Sequence, residues 1–238
     1  MDGDLPDGRA GMTARPVAPD GMARRSFVLD NTALLPVPLC PEILLHVADE
    51  ALALWQRTEQ ELDEIGLPAP FWAFAWAGGQ ALARHVLDHR DTVAGRHVLD
   101  LGAGSGLVGI AAMRAGAASV TAIDPDPWAI AAIGLNAAAN GVNVTAVEGD
   151  GLDGEASGFD VVLIGDLFYE QPLAERLLAF VERAHRGGAA ILIGDPGRSY
   201  LPRHRLVRLA EYSVPTTRAL EDSEIKRTAV WSPGWPAR

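Results

Sequence analysis

Asp100, Asp124, Asp150, Asp166 and Asp195 each stand in or just past a short apolar run. A carboxylate there can accept hydrogen bonds from a ligand lying across the ends of strands. Asp124 closes Val120–Ile123, 18 residues after Gly106, near the ~20 at which an acid grips ribose hydroxyls in a nucleotide fold. Before Pro125 it could equally cap the next helix, with Asp126 as the fallback for the ribose role. Asp150, in Glu148-Gly149-Asp150-Gly151, can accept an exocyclic amine such as that of adenine, although Gly-Asp-Gly is also ordinary turn chemistry. Asp166 ends the apolar run Phe159–Gly165, and Tyr169 follows three residues on. That pair would face the place where a transferred group sits, unless Asp166 caps the helix after it.

These acids need a frame, and His97–Gly109 supplies its centre. Val98, Leu99 and Leu101 form a short strand pattern. Gly102, Gly104 and Gly106 make a tight turn that tolerates φ > 0 and close backbone approach. Leu107–Arg114 then has helical spacing, and the N–H groups at its start favour negative ligand groups. Gly104–Gly109 satisfies GxGxxG, which keeps a nicotinamide-dinucleotide oxidoreductase open as an alternative. Asp100 speaks against it, because a dinucleotide site normally carries an apolar residue there.

The remaining runs complete an α/β pattern. Helices are expected over Gln80–His89, Trp128–Asn140, 171–185 and 201–211. Strands are expected over Val144–Val147, Ala189–Gly194 and Glu224–Trp231. Phe159–Gly165 is apolar throughout, as a central parallel strand buried on both faces would be. Residues 26–39 suggest one or two short strands. Pro41–Glu42 opens a helical pattern through Ile43, Leu44, Val47, Ala51, Leu54 and Trp55. In Pro70–Gly79 large aromatics alternate with alanine. Trp76 and the Gly78–Gly79 backbone either pack as the entry to a helix or stand beside a bound cofactor, where an aromatic face attracts a cationic group.

Composition limits the partners. The 238 residues are 48% hydrophobic with a formal net charge of −11, and Lys226 is the single lysine among 20 basic residues. An acidic chain suits a cationic partner better than a nucleic-acid backbone. No apolar run is long enough to span a membrane and no secretory h-region is present, so a cytoplasmic protein without membrane or nucleic-acid partners is expected. Cys40 cannot form an internal disulfide and reads as a small buried side chain. The histidines lack ligand spacing, so no metal is expected.

The string DLGAGSG (100–106) resembles motif I of the class I, seven-strand S-adenosylmethionine-dependent methyltransferases. PFWAFAWAGGQALARHVL (70–87), AIDPDPWAI (122–130), LNAAANG (135–141), GDLFYE (165–170) and DPGR (195–198) narrow the resemblance to the electron-transfer-flavoprotein β-subunit lysine methyltransferase family. Ala77 stands where that pattern has proline. The resemblance implies a Rossmann-like, doubly wound seven-strand sheet with helices on both faces and an N-terminal cap. The expected organisation is a disordered tail at 1–24, a cap segment at 25–69 and the methyltransferase domain at 70–238. It implies that Trp76, Asp100, Gly102, Gly104, Gly106, Asp124, Asp150 and Gly151 bind S-adenosylmethionine, and that Asp166 and Tyr169, as D-x-x-Y, form the lysine side of the active site. The implied partner is a protein presenting a lysine, such as the flavoprotein β-subunit, acted on by a monomer. A small-molecule N-methyltransferase using a nicotinamide-like amine is the alternative.

Overall fold

The structure, a computed structural model, describes residues 21–48, 69–154, 156–216 and 223–235. The chain opens with helix α1 (Gly21–Asn31) and strands β1 (Ala33–Val37) and β2 (Cys40–Val47). The core follows as α2 (Ala77–Asp88), β3 (His97–Leu101), α3 (Leu107–Arg114), β4 (Ser119–Asp124), α4 (Pro127–Ala139), β5 (Thr145–Glu148), β6 (Val161–Gly165), α5 (Gln171–Arg186), β7 (Ala190–Asp195), β8 (Leu206–Pro215) and β9 (Ile225–Pro233). Seven strands form one sheet in the order β5-β4-β3-β6-β7-β9-β8. β5 to β7 run parallel, and β9 and β8 add an antiparallel edge. The chain enters at β3, winds out to β5, and returns to β6 on the other side of β3. That reversal opens a crevice at the carboxyl ends of β3 and β6, where ligands of such folds bind.

The sheet is buried on both faces, which is why β6 is apolar without alternation. Val98, Val161, Leu163 and Leu192 turn to one face, under α2 and α3. Leu99, Leu101, Val162, Ile164 and Ile193 turn to the other, against Leu177, Phe180, Val181 and Ala184 of α5. No described helix is long and apolar enough to cross a membrane. Among the described residues no cluster of three or more His, Cys, Asp or Glu side chains could hold a metal ion.

Three segments depart from the sequence reading. Residues 21–24, expected in the tail, and 26–31, expected as strand, belong to α1. The helix is held by packing on α4: the Phe27 ring meets Trp128 edge-on at 4.6 Å and Val28 is buried. Residues 41–47, expected to open a helix, form β2. Their apolar positions suit either period, and pairing with β1 together with burial of Ile43 and Leu45 selects the alternating one. The rest of that expected helix lies outside the described residues, as does 1–20. Residues 206–211, expected to be helical, lie in β8, paired antiparallel with β9. In both strand cases pairing with the neighbouring strand overrides helical spacing.

The β1–β2 hairpin is fastened to α4 by side-chain amides. Leu44 N donates to Asn140 Oδ1 at 3.0 Å and His46 N to Asn136 Oδ1 at 2.7 Å, while Asn140 Nδ2 donates back to Leu44 O at 2.6 Å. Asn136 Nδ2 also donates to Ser105 O at 2.8 Å, which ties the same clamp to the glycine turn.

Candidate active site

A cavity of about 790 Å³ opens at the carboxyl ends of β3, β4 and β6. Gly102 and Gly104 line it after β3, Asp124 at the end of β4, Asp150 after β5, and Asp166 and Tyr169 after β6, with Trp76 across from the sheet. Seven of the residues singled out from the sequence therefore line this one cavity. The other three, Asp100, Gly106 and Gly151, do not line the cavity.

Asp100 lies beneath the glycine turn, 1% exposed, with Oδ2 accepting from Gly109 N at 2.8 Å. It anchors the first turn of α3 from below instead of reaching the cavity. Burial pushes its carboxyl up to about 7. Gly106 starts α3 with φ +79°, and Gly151 with φ +66° lies against Leu101 and Ile123, where a Cβ would come 2.9 Å from Leu101 Cδ1. Both glycines shape the support of the site. Gly102 is confined more tightly still, since a Cβ there would sit 2.6 Å from Leu167 Cδ1.

Asp124 is a buried acid of the cavity wall. Its Oδ2 accepts from Gly104 N at 2.8 Å and its Oδ1 from Asp126 N at 2.9 Å. Burial raises its pKa against those bonds. The helix cap is Asp126, whose side chain accepts from Trp128 N at 2.8 Å; burial brings its carboxyl up to about 6. The cap alternative for Asp124 thus passes to its neighbour. Asp150 lies at the rim, where Oδ2 receives Arg176 Nη2 at 2.8 Å and Oδ1 receives Leu152 N at 3.1 Å. The Arg176 bond holds its pKa below the usual carboxylate range.

Asp166 is built differently. It is buried and is the one non-glycine residue with positive φ, +59°, among the described residues. Glu170, not Asp166, holds the cap position of α5. Asp166 Oδ2 instead receives the backbone N–H of Gly78 and, at 3.2 Å, that of Gly79, in the first turn of α2. That approach depends on missing side chains. A Cβ on Gly78 would lie 2.8 Å from Asp166 Cγ, one on Gly194 would lie 2.8 Å from Leu82 Cβ, and one on Gly165 would lie 3.2 Å from Gly79 Cα. Gly78, Gly165 and Gly194 therefore let a helix start press against the ends of β6 and β7.

Asp166 Oδ1 receives Arg198 Nε at 2.9 Å and Nη2 at 2.8 Å. Arg198 closes the DPGR stretch, and sequence alone gives it no role. Its place is fixed by the turn before it, where Asp195 Oδ1 accepts from Gly197 N at 2.6 Å and Arg198 N at 2.7 Å. An Asp-x-Gly-Arg turn straight after a central strand was the available signal. The Arg198 guanidinium also lies over Trp76, 5.9 Å from the ring centroid. Trp76 Nε1 donates to Phe71 O at 2.9 Å, and the Phe71 ring stands 5.9 Å from both Trp76 and the half-exposed Tyr169. The mouth beside Asp166 is thus aromatic and open to solvent.

Residues 81–194 match the family model for ribosomal protein L11 methyltransferase (PrmA). Electron transfer flavoprotein beta subunit lysine methyltransferase of Xenopus laevis is 38% identical over 214 residues, covering 87% of this chain and 86% of that one. The Homo sapiens protein of the same name is 35% identical over 214 residues, covering 87% and 80%. Among solved structures, Trm5b from Pyrococcus abyssi superposes with a TM-score of 0.51 at 17% identity, over 80% of this chain and 53% of that one, a likeness of fold. A glycine turn that admits no side chain at Gly102 and a buried acid at the end of β4 fit a nucleoside-bearing cofactor, which here is S-adenosylmethionine. With that cleft in place and most of both chains aligned, the chain belongs to the electron transfer flavoprotein β-subunit lysine methyltransferase family, class I S-adenosylmethionine-dependent enzymes.

Proposed function

We propose that this protein methylates a lysine side chain on the electron transfer flavoprotein β-subunit. The observation that carries the reading is that Asp124 and Asp166 line one cavity from either side of β3. The relatives' names supply the substrate protein.

S-adenosylmethionine supplies an electrophilic methyl group on a sulfonium. Asp124 would accept the ribose hydroxyls, Asp150 would accept the adenine amine, and the Gly102–Gly104 turn would let the backbone close on the nucleoside. Trp76 would hold the methionine end, its aromatic face attracting the sulfonium charge. Asp166 attracts the incoming lysine ammonium and orients it, and Tyr169 and Phe71 frame its channel. A carboxylate that already receives two backbone N–H groups is a weak base, so the ammonium loses its proton to water. The neutral nitrogen then attacks in line: the N–CH3 bond forms as the S–CH3 bond breaks. Placing nitrogen, methyl and sulfur in line is the main contribution of the protein. The −11 net charge draws in a basic partner surface at long range.

The test is incubation of the purified protein with methyl-labelled cofactor and purified flavoprotein β-subunit. Label on a lysine peptide of that subunit is the expected result. Label that passes a small-pore filter, with none on protein, would replace this reading by a small-molecule amine substrate.

A further inference from the structure

We propose that Arg198 is a placeholder for the target lysine. In the resting enzyme its guanidinium occupies the cation position between Asp166 and Trp76, and the substrate ammonium displaces it on entry. The inference rests on the lysine-transfer reading of this site.

The two oxygens of Asp166 are held in unlike ways. Oδ2 is fixed by backbone N–H groups of α2, which cannot swing away because Gly78 and Gly79 are wedged against Gly165 and Gly194. Oδ1 is held by a long side chain on a loop, whose two nitrogens, at 2.9 and 2.8 Å, take up both lone pairs of that oxygen. The Arg198 side chain is about a fifth exposed (22%), and its backbone is pinned by Asp195. The guanidinium can therefore rotate out to solvent while the turn stays in place.

What Arg198 occupies is what an alkylammonium needs. A carboxylate oxygen lies on one side and an indole face 5.9 Å from the guanidinium carbon on another. A lysine reaching Oδ1 makes those contacts only after the guanidinium leaves. Asp166 itself does not depend on Arg198 for its charge, because the positive end of α2 supports the carboxylate through Oδ2. Removing the guanidinium opens the site without dismantling it. Arg198 is thus a positioning residue that competes with substrate, and it lowers apparent affinity by the fraction of time it is in place.

Two variants test this. Calorimetry first establishes that wild type, Arg198→Ala and Arg198→Lys bind S-adenosylmethionine alike; a wild type that fails to bind it would sink the methyltransferase reading itself. With flavoprotein β-subunit as substrate, Arg198→Ala is expected to lower KM about tenfold, for a guanidinium in place some nine-tenths of the time, with kcat within about twofold. An unchanged or raised KM overturns the placeholder. Arg198→Lys puts a primary amine at the proposed acceptor position, so the protein is expected to methylate itself at position 198. The amine gives its proton to water, and the transferred methyl leaves S-adenosylhomocysteine behind. Mass spectrometry of the peptide spanning that position reads the outcome without any external substrate. Should Arg198→Ala fail to fold, self-methylation of Arg198→Lys supports the proposal and its absence overturns it. A wild type inactive on the flavoprotein subunit, beside a self-methylating Arg198→Lys, would reject that substrate while supporting the placeholder.

Discussion

The two ends of the cavity are made by opposite means. At the cofactor end, the Gly102–Gly106 turn, Asp100 and Asp124 come from two neighbouring parallel strands, and each acid bonds a backbone N–H within 20 residues of itself. At the acceptor end, Asp166 is met by Gly78, 88 residues earlier, and Arg198, 32 residues later. The first is local loop geometry carried by one strand–turn–helix unit. The second exists only when three distant parts of the chain close on one another. Damage at the cofactor end should therefore show in binding and acid–base behaviour, and damage at the acceptor end in turnover and folding.

The largest effect is expected beneath the cofactor turn. Asp100 is raised to about 7 by burial, so the folded protein binds a proton there that the unfolded chain releases near pH 4. Its contribution to stability must fall as pH rises from about 4 to about 7, by roughly 2–4 kcal/mol. Denaturant melts of wild type and Asp100→Asn across that range should diverge, and parallel curves would deny Asp100 its shift. Next, Asp166→Ala should lower turnover about a hundredfold, a size typical of lost positioning, with cofactor affinity unchanged by calorimetry. Equal losses in both would erase the division between the ends. Gly194→Ala should cost about 2 kcal/mol of stability, since the new methyl strikes α2 in a packed interior. A melting temperature within a degree of wild type would mean that the helix start can retreat. The smallest is Asp124→Asn, expected to weaken cofactor binding about tenfold, the loss of one charge-assisted hydrogen bond, while saturating cofactor restores turnover.

The same contrast explains what was legible in the sequence. The strand, glycine turn and helix of β3–α3, the acids after β4 and β6, and the buried strand β6 announce themselves because spacing, glycine and apolar runs are local signals. The Asp166–Arg198 pair does not, because no window of sequence holds both residues. Asp100 stands in the motif but, on a strand buried on both faces, its side chain has to go into the protein. In β2, Ile43, Leu44 and Val47 also satisfy a helical spacing, and pairing with β1 decides. Likewise β8 is a strand because β9 lies beside it. That Asp126 and not Asp124 caps α4 turns on a two-residue difference in chain geometry, finer than spacing can tell.

The amides that fasten the hairpin have an outcome of their own. A two-stranded ribbon is marginal in water, and its bare rim is a template on which another chain can polymerise. Asn136 and Asn140 occupy the hydrogen-bonding groups of β2 at Leu44 and His46, and Pro36 withholds one donor from β1. Replacing the two asparagines would therefore do more than loosen a contact: it would expose an adhesive border through which molecules of this protein could aggregate.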